Sequence, residues 1–227
     1  MPSRQRAQRQ SSNHMEVALH HGRRFGRPLS YKLVHFLFVR RDMSCSVRQI
    51  IAADLSELAN LHAALIPVPY PPSFFINLLI QSNYACLIAH DTSSASPDAP
   101  IAFISASIHK SNSITGSQKP HIQLLTLGVL PEYQHKGLAR TLVQQVISTL
   151  HTSSDPTPPI YTHVCTTNTL AQSFYRSLGM TPFQSSRDSG PFIARNKYPS
   201  YSSRCRDDLV ELFRSRDAYL LVGEVSV

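Results

Sequence analysis

The stretch from His121 to Cys165 constrains the fold more than any other part of the chain. Residues 121–130 (HIQLLTLGVL) are apolar enough for a buried strand. Pro131 ends that strand and Gly137 marks a turn. Leu138, Leu142, Val146 and Leu150, with Val143 and Ile147 beside them, then recur at helical spacing. A polar, proline-bearing loop over 152–159 leads to a second apolar run at 160–165. A strand, an amphipathic helix and another strand predict two parallel neighbours in one sheet, joined by a right-handed crossover.

The flanking segments fit the same sheet. Residues 46–51 read as a strand. Asp54 is expected to cap the next helix in a capping box with Glu57, and Leu55, Leu58, Leu61 and Leu65 form its apolar stripe. The run 66–72 (IPVPYPP) cannot be helical, because its prolines fix φ and remove donors. A second helix is expected after Ser73, carrying Phe74, Phe75, Leu78 and Leu79. Strands are expected at 83–89 and 101–108, with polar loops at 91–100 and 111–120. Residues 168–178 predict a short helix stopped by Gly179. Further strands are expected from 181 and at 218–222, and 184–206 reads as irregular. The expected architecture is α/β (α+β): a mixed central sheet of six to seven strands flanked by four helices.

Composition removes several alternatives. Apolar residues make up 42% of the chain and charged residues 16%, so a core can form and global disorder is excluded. No apolar run approaches the roughly 18–20 residues of a membrane-spanning helix. The four cysteines (Cys45, Cys86, Cys165, Cys205) show no CxxC spacing and read as reduced thiols. Of the net charge of +8, residues 1–42 carry nine Lys and Arg against Glu16 and Asp42, so the remainder is nearly neutral. Residues 1–43 are read as a basic, disordered leader and 44–227 as the folded domain. A leader of this composition also suits a mitochondrial transit peptide or an RNA-touching arm, and residues 33–39 could add one strand. The body has no basic face that argues for sequence-specific nucleic-acid binding.

The loop Gln134-His135-Lys136-Gly137-Leu138-Ala139 enters a helix N-terminus. Gly137 and Ala139 lack bulk, so the backbone can approach a ligand. Successive N–H groups with the helix dipole suit a pyrophosphate, and Lys136 and Arg140 add charge. A plain strand–helix turn is the alternative.

Residues 125–139 (LTLGVLPEYQHKGLA) resemble motif A of the GCN5-related N-acetyltransferases (GNAT), and residues 160–180 (IYTHVCTTNTLAQSFYRSLGM) resemble motif B. IPVPYPPSFF, LTLGVL and IYTHVCTTN together resemble the protein Nα-acetyltransferases of the San/NatE type and their NatF relatives. The resemblance implies the GNAT fold and acetyl-CoA as cosubstrate, with no metal. It implies that the main chain at Leu127, Gly128 and Val129 holds the pantetheine arm. It implies that Gln134, His135, Lys136, Gly137, Leu138, Ala139 and Arg140 cradle the pyrophosphate, and that Asn168 contacts the cofactor arm. Tyr175 lies near the thioester sulfur in such enzymes and could protonate the leaving thiolate; packing is its other reading. His163 matches their general base, and an imidazole with an ordinary pKa near 6.5 can take the amine proton. A structural core histidine is the alternative.

One position departs from the family pattern. Relatives carry a tyrosine that assists proton removal where this chain has Gln123, which cannot act as a base. Ile66, Pro67, Val68 and Tyr70 match the wall that grips the first residues of a peptide substrate, or form a connector between two helices. Tyr198 and Tyr201 fall where relatives place a substrate loop.

The implied activity is acetylation of protein N-termini, with Met followed by an apolar residue favoured, by direct transfer in a ternary complex. Two alternatives stand beside it. One is a GNAT enzyme for lysine or small amines. The other is a weakly active or non-catalytic CoA-binding subunit of a ribosome-associated NatA-like complex. The implied partners are protein N-terminal peptides, and the implied location is cytoplasmic, with mitochondrial import as the alternative.

Overall fold

The computed structural model describes residues 36–40, 43–110, 119–151, 157–184, 190–198 and 211–225. The chain builds one mixed sheet from β1 (Phe36–Arg40), β2 (Met43–Gln49), β3 (Tyr84–Asp91), β4 (Pro100–His109), β5 (His121–Val129), β6 (Ile160–Cys165), β7 (Thr181–Pro182), β8 (Ile193–Ala194) and β9 (Ala218–Gly223). The strand order is β1-β2-β3-β4-β5-β6-β9-β7, and β8 also pairs with β9. Neighbours are antiparallel except β5 and β6, which run parallel as the sequence predicts. The count exceeds six to seven because β7 and β8 have two residues each and β1 lies upstream of residue 44.

Four helices that lie wholly within the described residues cover the sheet: α1 (Leu55–Leu65), α2 (Pro72–Ile80), α3 (Leu138–Leu150) and α4 (Thr169–Ser177). Alternating strand residues feed two cores, as the two-residue period requires. Ala85, Leu87, Ile104 and Leu124 pack with Leu142, Val146 and Ile147 of α3. Cys86, Ile88 and Phe103 face the other way, onto Leu58 and Leu61 of α1 and Phe75 and Leu78 of α2. Cys45, Cys86 and Cys165 are buried and free; Cys205 lies outside the described residues.

Two helix starts differ from expectation. Asp54 makes no cap bond to its own helix. Its carboxylate accepts the Ile51 N–H at 2.7 Å and both guanidinium nitrogens of Arg48 at 2.6 and 2.8 Å. A 3-10 turn, Ala52–Asp54, already leads into the helix, so the aspartate closes that turn instead of capping at Glu57. Helix α2 begins at Pro72, not after Ser73. A first-turn proline loses no helical bond, and its φ is already set.

The β4–β5 register contains the feature that makes the site. Ser105 pairs with Thr126 and Ala106 with Leu124, which leaves Leu125 as an extra residue in β5. Such a bulge bends its strand and shifts the alternation of faces. Ile122 and Leu124 join the α3 core before it, and Leu127 and Val129 pack there after it.

Candidate functional site

Strands β5 and β6 pair only from Ile122↔Ile160 to Leu124↔Thr162, then run on without each other. The divergence begins at the Leu125 bulge. It opens a cleft of about 390 Å³ between Leu125–Val129 on one side and Thr162–Cys165 on the other. Gly128 is required beside it for packing reasons. A Cβ there would lie 2.6 Å from the Phe103 ring and 3.0 Å from Leu65.

The loop after β5 carries two left-handed residues, His135 at φ 59° and Gly137 at φ 86°. Gly137 is the N-cap of α3, so the first N–H groups of that helix have no helical acceptor. Leu138 is buried and offers only its backbone there. Gln134 lines the cleft and donates to Val129 O at 2.9 Å. The cations are placed less directly than their spacing suggests. Lys136 lies over the Tyr133 ring, 5.3 Å from its centroid. Arg140 donates to Ser177 O at 3.1 Å and ties α3 to the end of α4.

Asn168, Tyr175 and His163 all line this cleft. Asn168 is the N-cap of α4, and its side chain accepts the Ala171 N–H at 3.0 Å. Tyr175 is buried, and burial pushes its phenol up to about 12 despite a hydrogen bond with Thr162. Thr162 in turn donates to Leu124 O. His163 is half-buried, and its Nδ1 has no partner among the described residues. Burial, with the positive charge of Lys197, lowers the imidazole to about 4. The expected value near 6.5 does not hold, and the ring is neutral at physiological pH.

A second cleft of about 350 Å³ adjoins the first. Val68, Pro69, Tyr70, Pro71 and Phe74 form its apolar wall, with Gln123, His163 and Tyr198 opposite. Ile66 lines the first cleft, Tyr70 both, and Pro67 is buried and lines neither. Tyr198 anchors to β6 by donating to His163 O at 2.8 Å. Tyr201 lies outside the described residues. Tyr70, Leu125, His163 and Tyr198 line both clefts, so the two meet at these side chains.

Sequence reading missed several residues here. Tyr161 donates to Gln123 Oε1 at 3.0 Å, which only the β5–β6 register brings about. Phe74, expected only as part of a helix stripe, lines the second cleft with Lys197, and Leu212 and Phe213 line the first; nothing local in the sequence marks these four as cleft residues. His62 is buried behind the wall, with ring centroids 4.5 Å from Tyr70 and 5.1 Å from Phe103. Among the described residues no three His, Cys, Asp or Glu side chains gather as a metal site. No described helix is long and apolar enough to cross a membrane.

The acetyltransferase (GNAT) family profile matches residues 55–180. Histone acetyltransferase MCC1 of Arabidopsis thaliana is 28% identical over 149 residues, which is 60% of this chain and 59% of that protein. The chain thus spans less than two thirds of this relative. Among solved structures, Arabidopsis thaliana NAA60 in complex with acetyl-CoA superposes with a TM-score of 0.61 at 23% identity, covering 79% of this chain and 98% of that one. Arabidopsis thaliana Naa50 in complex with the bisubstrate analogue CoA-Ac-MVNAL gives 0.56 at 20%, covering 79% and 98%. Chaetomium thermophilum Naa20 with a bisubstrate analogue gives 0.58 at 20%, covering 79% and 86%. At these identities the likeness establishes a shared fold.

Proposed function

The chain belongs to the acetyltransferase (GNAT) family, and on that premise we propose that it transfers the acetyl group of acetyl-CoA to the α-amine of a protein N-terminus. The observation that carries this reading is the meeting of the two clefts at His163. The first has an open strand edge, which suits a pantetheine arm, and beyond Gln134 the chain turns into the α3 N-terminus, which suits a pyrophosphate. The second is apolar and walled by prolines, which suits the leading side chain of a peptide with little loop entropy to lose. The bisubstrate analogue on the Naa50 structure joins CoA to a peptide beginning Met-Val, which supports Met followed by an apolar residue as the acceptor.

Both substrates are held before chemistry begins. The amine nitrogen attacks the thioester carbonyl carbon, and main-chain N–H groups of Leu127–Val129 stabilise the oxyanion. The C–S bond breaks, the acetyl group stays on nitrogen, and the thiolate leaves. Tyr175 keeps its proton at neutral pH and donates it to that sulfur. The nitrogen becomes far more acidic once it has attacked, so the weakly basic, neutral His163 can take its proton. Gln123, held by Tyr161, offers hydrogen bonds to the acceptor amide and takes no proton. Lysine acetylation is the second reading, favoured by the 28% identity to a histone acetyltransferase. Peptides with a blocked α-amine and a free lysine separate the two; α-acetylation of Met-Leu peptides, lost in His163→Ala, is the expected result.

A further inference from the structure

The second cleft carries a full positive charge that this chemistry does not use. Lys197 stands in its lining with Tyr70, Phe74, Gln123 and His163. The backbone on either side of it is pinned. Asn196 adopts φ 50°, a left-handed conformation, and donates its N–H to Asp217 Oδ1 at 2.9 Å. The Tyr198 N–H donates to Arg216 O at 3.0 Å, and Arg216 Nε donates back to Tyr198 O at 3.2 Å. The cation two residues earlier is already matched, since Arg195 pairs with Asp217 at 2.6 Å. Glu211 stands 3.4 Å from Arg214. Lys197 has no ion pair among the described residues, and its field already reaches the His163 ring.

Resting on the Nα-acetyltransferase reading, we propose that Lys197 is a specificity residue that selects acceptor chains carrying a carboxylate just beyond their first two residues. The wall of Val68, Tyr70 and Phe74 takes the leading apolar side chain while the amine sits at His163. The next side chains leave the cleft past the rim that Lys197 occupies. An ammonium with no ion pair among the described residues, on a fixed backbone, attracts Asp or Glu there and repels Lys or Arg. N-termini with a basic third residue are therefore disfavoured. Because Lys197 is exposed, the effect is modest and is screened by salt.

The test compares kcat/KM for three peptides beginning Met-Leu-Glu, Met-Leu-Gln and Met-Leu-Lys. At low salt the wild type prefers the Glu peptide over the Lys peptide by roughly five-fold, as expected for exposed charges. High salt compresses that ratio. Lys197→Met brings it near one, and Lys197→Glu inverts it; the thermal melt of each variant shows that it is folded. Equal kcat/KM for all three peptides in an active wild type overturns the inference alone. A preference that survives in Lys197→Met also overturns it, because another group then reads the charge. Failure of the wild type to acetylate any of the three peptides removes the parent reading and the inference with it.

Discussion

Tyr161 donates its phenolic hydrogen to Gln123 Oε1 at 3.0 Å, across the parallel β5–β6 pair and just before the two strands part. The bond fixes the amide of a residue that lines the proposed acceptor cleft. Tyr161→Phe removes the donor and leaves the ring. A neutral hydrogen bond contributes about 1 kcal/mol, so kcat/KM for a Met-Leu peptide should fall roughly five-fold. The KM for acetyl-CoA should not move. Steady-state kinetics with each substrate varied in turn check this.

At Gly128 the β5 backbone passes too close to Phe103 to leave room for a side chain. The Phe103 ring is fully buried and would lie 2.6 Å from an added Cβ. Gly128→Ala should cost about 1–3 kcal/mol, the usual range for overpacking. Phe103→Leu should recover part of the loss in the double variant. Thermal and urea melts of the single and double variants measure the coupling.

Burial of imidazoles weakens the fold in acid: His90 is lowered, and His62 and His163 are lowered most strongly. His62 is buried among Tyr70, Phe75 and Phe103, its Nε2 has no partner among the described residues, and burial lowers it to about 4. His163 shifts the same way. Each is neutral in the folded state and protonates near 6.5 when unfolded. The unfolded chain therefore binds more protons between about pH 4 and 6.5, and stability falls as pH drops through that window. For His62 the loss from pH 7 to pH 5 should be about 2 kcal/mol. Urea melts of wild type and His62→Leu test this; the variant should show the weaker pH dependence.

The rate should report the acceptor amine, not an ordinary histidine. With His163 lowered to about 4 and Tyr175 raised to about 12, neither changes charge near neutrality. A peptide α-amine loses its proton near 8. The kcat/KM for peptide should rise with pH up to about 8 and then level, with no break near 6.5. A pH profile on a Met-Leu peptide checks this.

Much of this arrangement can be read from the chain itself, because its elements are punctuated. Gly137 and Gly179 both take left-handed φ where a helix begins or ends. The crossover from β5 through α3 to β6 follows from apolar spacing alone. Long-range pairings are not legible in this way. Arg48 draws Asp54 away from Glu57, and nothing local signals an ion pair six residues back. The Leu125 bulge is invisible because β5 reads as one continuous apolar run. Tyr161 meets Gln123 only through the strand register, and Lys197 reaches the cleft from a segment without periodicity. The low pKa of His163 likewise depends on burial and on a cation more than thirty residues away in sequence.

The most direct measurement incubates the protein with acetyl-CoA and a Met-Leu peptide bearing an internal lysine, then locates the acetyl group by fragmentation mass spectrometry. The wild type should acetylate the α-amine, and His163→Ala should lose on the order of 100-fold or more in rate. Acetylation of the lysine alone, or equal rates for the wild type and His163→Ala, would contradict the account.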